Sequence, residues 1–345
     1  MDKPIKIGPN HACFIIAEAG VNHNGDLNKA LKLVDIAVEA GANAVKFQTF
    51  IPGEVVSSVA QKANYQKLDG DHSNSMLEMI KDLALPFSDF EKIQEHCKSR
   101  GIIFISSPFD KSSAEFLFKM GLEIIKLGSG ELTNTPLLDF LAKKGKFLII
   151  STGMSTLGEV DQAIQIMQNH RRTDFALLHC VSSYPAESKY SNLRCLDTLK
   201  QAFNIPVGYS DHHMGNLISF AAVARGACII EKHFTENRRQ KGPDHACSLE
   251  PNELFDLVQG IRSIESALGD GVKVPTECEL DVRAKSRKSI VACREIEKGI
   301  VLDESMLKIK RPGTGIEPIN LPNLLGRTTK KKIGSDQLIN RDDLL

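Results

Sequence analysis

The sequence predicts a closed (β/α)8 barrel, the TIM-barrel fold, followed by a small mostly-β domain. Three observations predict it. Eight short apolar runs alternate with helix-like segments, the outgoing ends of those runs are polar, and the alternation stops near residue 275. The chain has 345 residues, 42% hydrophobic and 25% charged, an ordinary globular composition with length for a sizeable core.

The strand-like runs are 14–17, 44–47, 102–105, 124–127, 147–150, 176–178, 206–209 and 228–230. Each is a short apolar stretch of the kind a buried strand shows. Between them apolar residues recur at helical spacing, as in Ala30, Leu33, Val34, Ala37 and Val38. Strands alternating with helices imply a parallel sheet, and eight such units match a closed barrel. A doubly wound open sheet would need a phosphate fingerprint after the first strand, and Ala19-Gly20-Val21-Asn22-His23-Asn24-Gly25 is not GxGxxG. The stretch 60–75 is polar and long for a βα loop, as a lid or substrate contact would be. The barrel is expected over 1–275 and a polar linker over 276–288. The tail 289–345 has strand signals at 289–292, 306–310 and 330–333, with turns at Lys298-Gly299, Pro312-Gly313 and Ile333-Gly334. So small a domain is marginal alone and gains stability by docking.

Lys and Arg total 43 and so do Asp and Glu, so there is no long-range basic field for nucleic acid or an anionic membrane. An anionic small molecule must be held by local cations. The eight cysteines form no CxxC pair and sit mostly in apolar runs, as buried reduced thiols do. Met1-Asp2-Lys3-Pro4 leads into no signal-peptide apolar region, and no apolar run approaches the roughly 18 residues of a membrane span. A cytoplasmic protein is expected.

The outgoing strand ends read Glu18; Lys46 and Gln48; Ser106 and Ser107; Lys126, Ser129 and Glu131; Ser151 and Thr152; His179; Asp211 and His212; Lys232 and His233. Singly, each suits a solvated loop. A closed barrel converges them on one mouth, where such folds keep their chemistry. Ser210-Asp211-His212-His213 and Glu231-Lys232-His233 put imidazoles at two adjacent strand ends, where His212 and His233 can share a divalent ion. Two imidazoles without a nearby thiolate suit a site completed by water and substrate oxygen, which favours Mn²⁺ over structural zinc. The alternative is a pair of capping or core histidines. His213 is a further candidate ligand, and Asp211 a candidate partner for His212.

Lys46 and Lys126, with the small turns Gly128-Ser129-Gly130 and Ser151-Thr152-Gly153, form a candidate phosphate cradle. Lys126 as a Schiff-base nucleophile is the rival reading. Glu18 and Glu131 are candidates for orienting water or moving protons, or for pairing with the lysines. His245 is as compatible with a structural role as with a functional one.

These residues resemble the sialic acid synthase family, also called nonulosonate or N-acetylneuraminate synthases. The matching segments run through nearly the whole chain: 16–25, Val45-Lys46-Phe47-Gln48, Ser106-Ser107-Pro108-Phe109, 126–131, Ser151-Thr152-Gly153-Met154, Ser210-Asp211-His212, Glu231-Lys232-His233-Phe234, Gly242-Pro243-Asp244 and Lys310-Arg311-Pro312-Gly313. The tail resembles the family's antifreeze-like (SAF) domain. The resemblance implies condensation of phosphoenolpyruvate with an open-chain N-acetylmannosamine-type sugar, with C–O cleavage and phosphate release. By the same resemblance His212 and His233 would ligate the metal, usually manganese. Lys46, Ser107, Lys126, Ser129 and Ser151 would hold phosphoenolpyruvate; Gln48, Tyr184 and Asp244 the sugar. Glu18 and Glu131 would handle water and protons. The family forms a swapped homodimer, in which Arg311 would reach the partner's sugar. The chain departs from the family at His213, where threonine is common. The expected product is N-acetylneuraminate. The alternative is N,N'-diacetyllegionaminate, made from a 2,4-diacetamido-2,4,6-trideoxy sugar, and Asn64-Tyr65-Gln66 and Gly208-Tyr209-Ser210-Asp211 resemble that subgroup.

Overall fold

Eight parallel strands close into a barrel in sequence order. They are β1 (Phe14–Gly20), β2 (Ala44–Thr49), β3 (Ile103–Pro108), β4 (Ile124–Leu127), β5 (Phe147–Ser151), β6 (Phe175–Cys180), β7 (Val207–Asp211) and β8 (Ile229–His233), with β8 pairing back onto β1. The computed structural model describes residues 6–63, 66 and 75–345. Most of the expected lid, and Asn64 and Tyr65 of the subgroup motif, lie outside the described residues.

All eight expected strands are present. Several run further than their apolar cores suggest, and the extra residues are mostly polar: Glu18, Gln48, Ser107, Ser151, Asp211, Lys232 and His233 all lie within strands. Ladder pairing explains this. Glu18 is opposite Lys46 on one side and His233 on the other, and Asp211 is opposite Lys232, so neighbouring backbones hold these residues extended whatever their side chains.

The helices are α1 (Leu27–Ala40), α2 (Pro52–Val55), α3 (Met76–Leu83), α4 (Phe87–Arg100), α5 (Lys111–Lys119), α6 (Thr135–Lys143), α7 (Leu157–Asn169), α8 (Cys195–Phe203), α9 (Leu217–Ala224) and α10 (Pro251–Leu268). Local chemistry sets several ends. Asp26 caps α1, which stops at the left-handed Gly41, and Thr156 and Glu159 form a reciprocal capping box at α7.

Strand alternation sorts the core into two layers. Ile15, Val45, Phe104, Ile125, Leu148, Leu177, Tyr209 and Ile230 pack with helix residues such as Leu33 and Leu141. Phe14, Ile16, Ala44, Ile105, Ile124, Ile149, Ala176, Leu178 and Ile229 pack with one another inside the barrel. Counting on by two from this inner set reaches Glu18, Lys46, Ser107, Lys126, Ser151 and Glu231. The inner apolar layer is therefore the floor on which the polar mouth stands.

The chain divides into Met1–Gly269 and Asp270–Leu345. The segment expected as a linker, 276–288, is in part helical: a short turn Glu277–Glu279 leads into α11 (Leu280–Ser286). Thr276 and Glu279 make a capping box and Lys285 pairs with Asp281 one turn back, so the polar composition stabilises a helix. The second unit holds an antiparallel pair, β9 (Ser289–Ala292) and β10 (Leu307–Lys310), and a short helix α12 (Leu321–Leu324). Its core includes Ile290, Ile296, Leu302, Ile333 and Ile339. The strand expected over 330–333 is reduced to one bridge, Ile296 to Ile333, with Gly334 directly behind it.

Candidate active site

The inward face of the mouth carries a buried ion cluster. Lys46 Nζ lies 3.0 Å from Glu18 Oε1, 3.6 Å from Glu231 Oε1 and 3.1 Å from Ser107 Oγ. Lys126 Nζ donates to Ser151 Oγ at 2.6 Å and to the Leu127 carbonyl at 2.9 Å, and lies 3.9 Å from Glu231 Oε1. Glu231 thus bridges the two ammonium groups and accepts from Ser210 Oγ at 3.2 Å. All four charged groups are buried. Burial acts to raise the Glu231 pKa, but Lys126 and Lys46 outweigh it and hold the carboxylate below its usual range. Burial acts to lower Lys46, but Glu18 and Glu231 outweigh it and raise it. Lys126 is lowered, because burial exceeds what Glu231 returns. Burial, only partly offset by Lys46, pushes Glu18 up to about 7. The second oxygens of Glu18 and Glu231 are buried without a hydrogen-bond partner.

Glycines let these strands crowd. Gly20 sits at a register shift in β1 with φ +54°, and a Cβ there would lie 3.4 Å from Gln48 Nε2, Glu18 Oε1 and His233 Cε1. At Gly153 a Cβ would fall 2.3 Å from Ser182 Oγ, 2.6 Å from Cys180 Sγ and 2.8 Å from Ser129 Oγ, so only glycine fits. The Gly153 amide instead donates to Ser129 Oγ at 3.1 Å, and Ser129 Oγ is 3.0 Å from Cys180 Sγ.

His212 and His233 come together, with ring centroids 5.6 Å apart. Tyr184 packs against both, at 4.1 Å and 5.8 Å. His212 Nδ1 donates to the Val181 carbonyl at 2.7 Å, which makes Nε2 the lone-pair nitrogen, with Ser210 Oγ 3.5 Å from it. His233 Nδ1 is buried with no partner. Burial lowers the His212 pKa to about 4 and holds His233 well below the usual imidazole range, so both rings are neutral, as ligands must be. No group of three or more His, Cys, Asp or Glu suited to a metal occurs among the described residues. The two neutral, neighbouring imidazoles, with His233 Nδ1 buried and unpartnered, are a donor pair that would fit a divalent ion completed by water and substrate oxygen.

The structure corrects three expectations. Asp211 does not hold His212: its carboxylate accepts from His213 Nδ1 at 2.8 Å, Ser219 Oγ at 2.6 Å and Lys232 Nζ at 2.9 Å. His213 is not aimed at the shared site, since its Nε2 meets Ser191 Oγ at 2.8 Å. And the polar strand ends are not all one constellation. Ser106, His179, Asp211 and Lys232 have outward parity. Ser106 bonds Thr49 at 2.7 Å, His179 meets the Ser191 carbonyl at 2.8 Å, and Asp211 and Lys232 pair behind the barrel wall. A strand side chain one position off points to the opposite face.

Glu131 lies in the turn after β4 and accepts from Asn134 at 2.6 Å; among the described residues no ion pair joins it to Lys46 or Lys126. Gln48 donates to Glu18 Oε1 at 3.2 Å. Gln48, Tyr184, His233 and Asp244 line one cavity of about 250 Å³, whose lining also includes Gln66 and apolar side chains from Val55, Met76, Met79, Ile80, Leu83 and Phe109. Burial raises Asp244 to about 6. Arg311 is exposed in the second unit, after β10. Sequence reasoning gave Glu231 no role. The signal was its parity, two residues before His233 on the same strand face.

Residues 33–273 match the NeuB family model and residues 287–345 the SAF domain model. The chain belongs to the NeuB family. It is an enzyme of the nonulosonate synthase type, as the resemblance implied. The N,N'-diacetyllegionaminic acid synthase of Campylobacter jejuni is 45% identical over 328 residues, covering 94% of this chain and 98% of the relative. That of Legionella pneumophila is 46% identical over 323 residues, covering 92% and 91%. The human N-acetylneuraminate-9-phosphate synthase is 36% identical over 337 residues, covering 96% and 93%. Among solved structures, the N-acetylneuraminic acid (sialic acid) synthetase of Leptospira borgpetersenii, in complex with citrate, is 38% identical with a TM-score of 0.72, covering 81% of this chain and 92% of that one. The likeness favours the diacetyllegionaminate alternative over N-acetylneuraminate. No helix among the described residues is long and apolar enough to cross a membrane.

Proposed function

We propose that this chain is an N,N'-diacetyllegionaminate synthase, condensing phosphoenolpyruvate with 2,4-diacetamido-2,4,6-trideoxymannose and releasing phosphate. The observation that carries the choice of sugar is the likeness to two diacetyllegionaminic acid synthases at 45% and 46% identity over more than nine-tenths of this chain. The cavity agrees with it. Among the described residues its lining contains no lysine or arginine, which a 6-phosphorylated acceptor would call for.

Lys46 and Lys126 offset the charge of phosphoenolpyruvate, and the hydroxyls of Ser107, Ser129 and Ser151 donate to its oxygens. Fixed donors in a buried mouth hold an anion without reorganising. Gln48, Tyr184 and Asp244 orient the open-chain sugar so that C3 of phosphoenolpyruvate attacks the aldehyde carbon. Water adds at C2, and the C2–O bond to phosphate breaks, leaving a 2-keto acid. Glu18 pairs with Lys46 through Oε1, and its other, unpartnered oxygen holds or moves the proton of that water; Glu131 is the second carboxyl for proton handling. His212 and His233 would hold a divalent cation, Mn²⁺ by preference, which supplies Lewis acidity when bound. Alignment of two substrates is worth about 7 kcal/mol or more when the geometry is good. The functional unit is a homodimer in which the partner's tail supplies the arginine at position 311 to the sugar. That part rests on the motif Lys310-Arg311-Pro312-Gly313.

The test is phosphate release from phosphoenolpyruvate with Mn²⁺ and, in turn, N-acetylmannosamine, its 6-phosphate and the diacetamido trideoxy sugar. The last is expected to show the highest kcat/KM, with turnover lost in EDTA and restored by Mn²⁺. A higher value with N-acetylmannosamine would overturn the sugar assignment. Phosphate release with none of the three would overturn the synthase reading.

A further inference from the structure

The cavity beside His233 has two unlike walls. One carries the polar groups already assigned to the sugar. The other carries Val55 at the end of α2, the face of α3, and Phe109 after β3. On α3 the residues that line it are Met76, Met79, Ile80 and Leu83, spaced so that all four share one side of the helix. Ile80 and Leu83 root this face in the protein, with 9% and 8% of their surface accessible, while Met76 and Met79 are half-buried and line the cavity. Ser75 accepts from the Glu78 amide at 3.3 Å and so caps the helix that carries the wall. Neither α2 nor α3 is required to close the barrel, because α4 alone makes the crossover from β2 to β3. Both stand between β2 and α4 and face the cavity.

We infer that the apolar wall of α2 and α3 is the specificity-determining surface for the acceptor sugar, packing the C6 methyl and the second acetamido methyl of a diacetamido trideoxy sugar. This rests on the proposed function and deepens it. An occupant touching both walls must be polar at the end near Gln48, Tyr184 and Asp244 and apolar at the other, and the cavity is continuous between them. Methionine adapts its shape to such groups at little cost. A hydroxymethyl group or a phosphate at C6 would lose hydration against this wall and find no cation among its described residues. Hydrophobic pockets discriminate single methyl-sized groups by roughly 10–200-fold.

The test uses the full-length chain and the ratio of kcat/KM for the diacetamido trideoxy sugar over that for N-acetylmannosamine. Met76→Gln and Met79→Gln keep side-chain length but make the wall polar, and each is expected to lower the ratio by about tenfold. Met79→Leu, which stays apolar, retains it. An unchanged thermal midpoint in each variant separates recognition from folding. A wild type that favours the diacetamido sugar, with ratios unaltered in both glutamine variants, overturns this inference alone. A wild type that favours N-acetylmannosamine overturns the sugar assignment, and this inference with it.

Discussion

His23 shows how a single buried group sets a pH limit. It is 1% exposed, its Nδ1 accepts from the Gly25 amide at 3.1 Å, and its Nε2 has no partner. Burial holds its pKa at about 4, against an ordinary 6.5. Below pH 6.5 the unfolded chain takes up a proton that the folded chain refuses. Stability is full above 6.5 and is lost as pH falls toward 4, by about 1.4 kcal/mol for each pH unit. Urea midpoints measured from pH 7 to pH 5 are expected to fall less steeply in His23→Gln, by one proton's worth of slope. Equal slopes would contradict the buried neutral ring. Residue types were legible in the sequence at this scale, and bonding partners were not. The Asp211 to His212 pairing was suggested by adjacency in the chain, but adjacent strand residues face opposite ways, and Asp211 bonds its neighbour's neighbour, His213, instead.

Between elements, the outward pair of Asp211 on β7 and Lys232 on β8 ties together the two strands that carry His212 and His233. Both charges are essentially inaccessible, at 0% and 1%. Burial acts to raise Asp211, but hydrogen bonds from His213 and Ser219 and the Lys232 charge outweigh it and hold it at about 2. Removing one partner strands the other charge, which costs about 3–5 kcal/mol. Lys232→Met is expected to lower unfolding stability by that amount, and the double variant with Asp211→Asn to recover part of it. A single variant as stable as the wild type would remove the pair from the account of β7–β8 spacing. Strand existence was legible because eight apolar runs stand out from amphipathic helices. Strand length was not, since ladder partners, not side chains, extend β1 and β8 through their charged residues. The helical character of 276–288 was masked by polar composition, and only the capping box at Thr276 hinted at it.

On the scale of the whole molecule, the proposed dimer makes the site depend on two chains. Arg311→Ala is expected to raise the KM for sugar far more than that for phosphoenolpyruvate. Co-expression of Arg311→Ala with His233→Ala then separates the two arrangements. If the arginine acts in the partner, mixed dimers contain one intact site, and random pairing restores roughly a quarter of wild-type activity at low sugar. If it acts within its own chain, no mixed dimer regains activity. The sequence by itself determined the barrel, the tail and the roster of polar groups, because hydrophobic periodicity and strand–helix alternation are local properties that survive without knowing any partner. Only tertiary structure decided which of those groups share the mouth. Closure of β8 onto β1 brings residues 18, 46, 126 and 231 within ion-pair reach, and one-residue differences in strand parity send Lys232 and Asp211 behind the wall while leaving Glu231 and His233 inside.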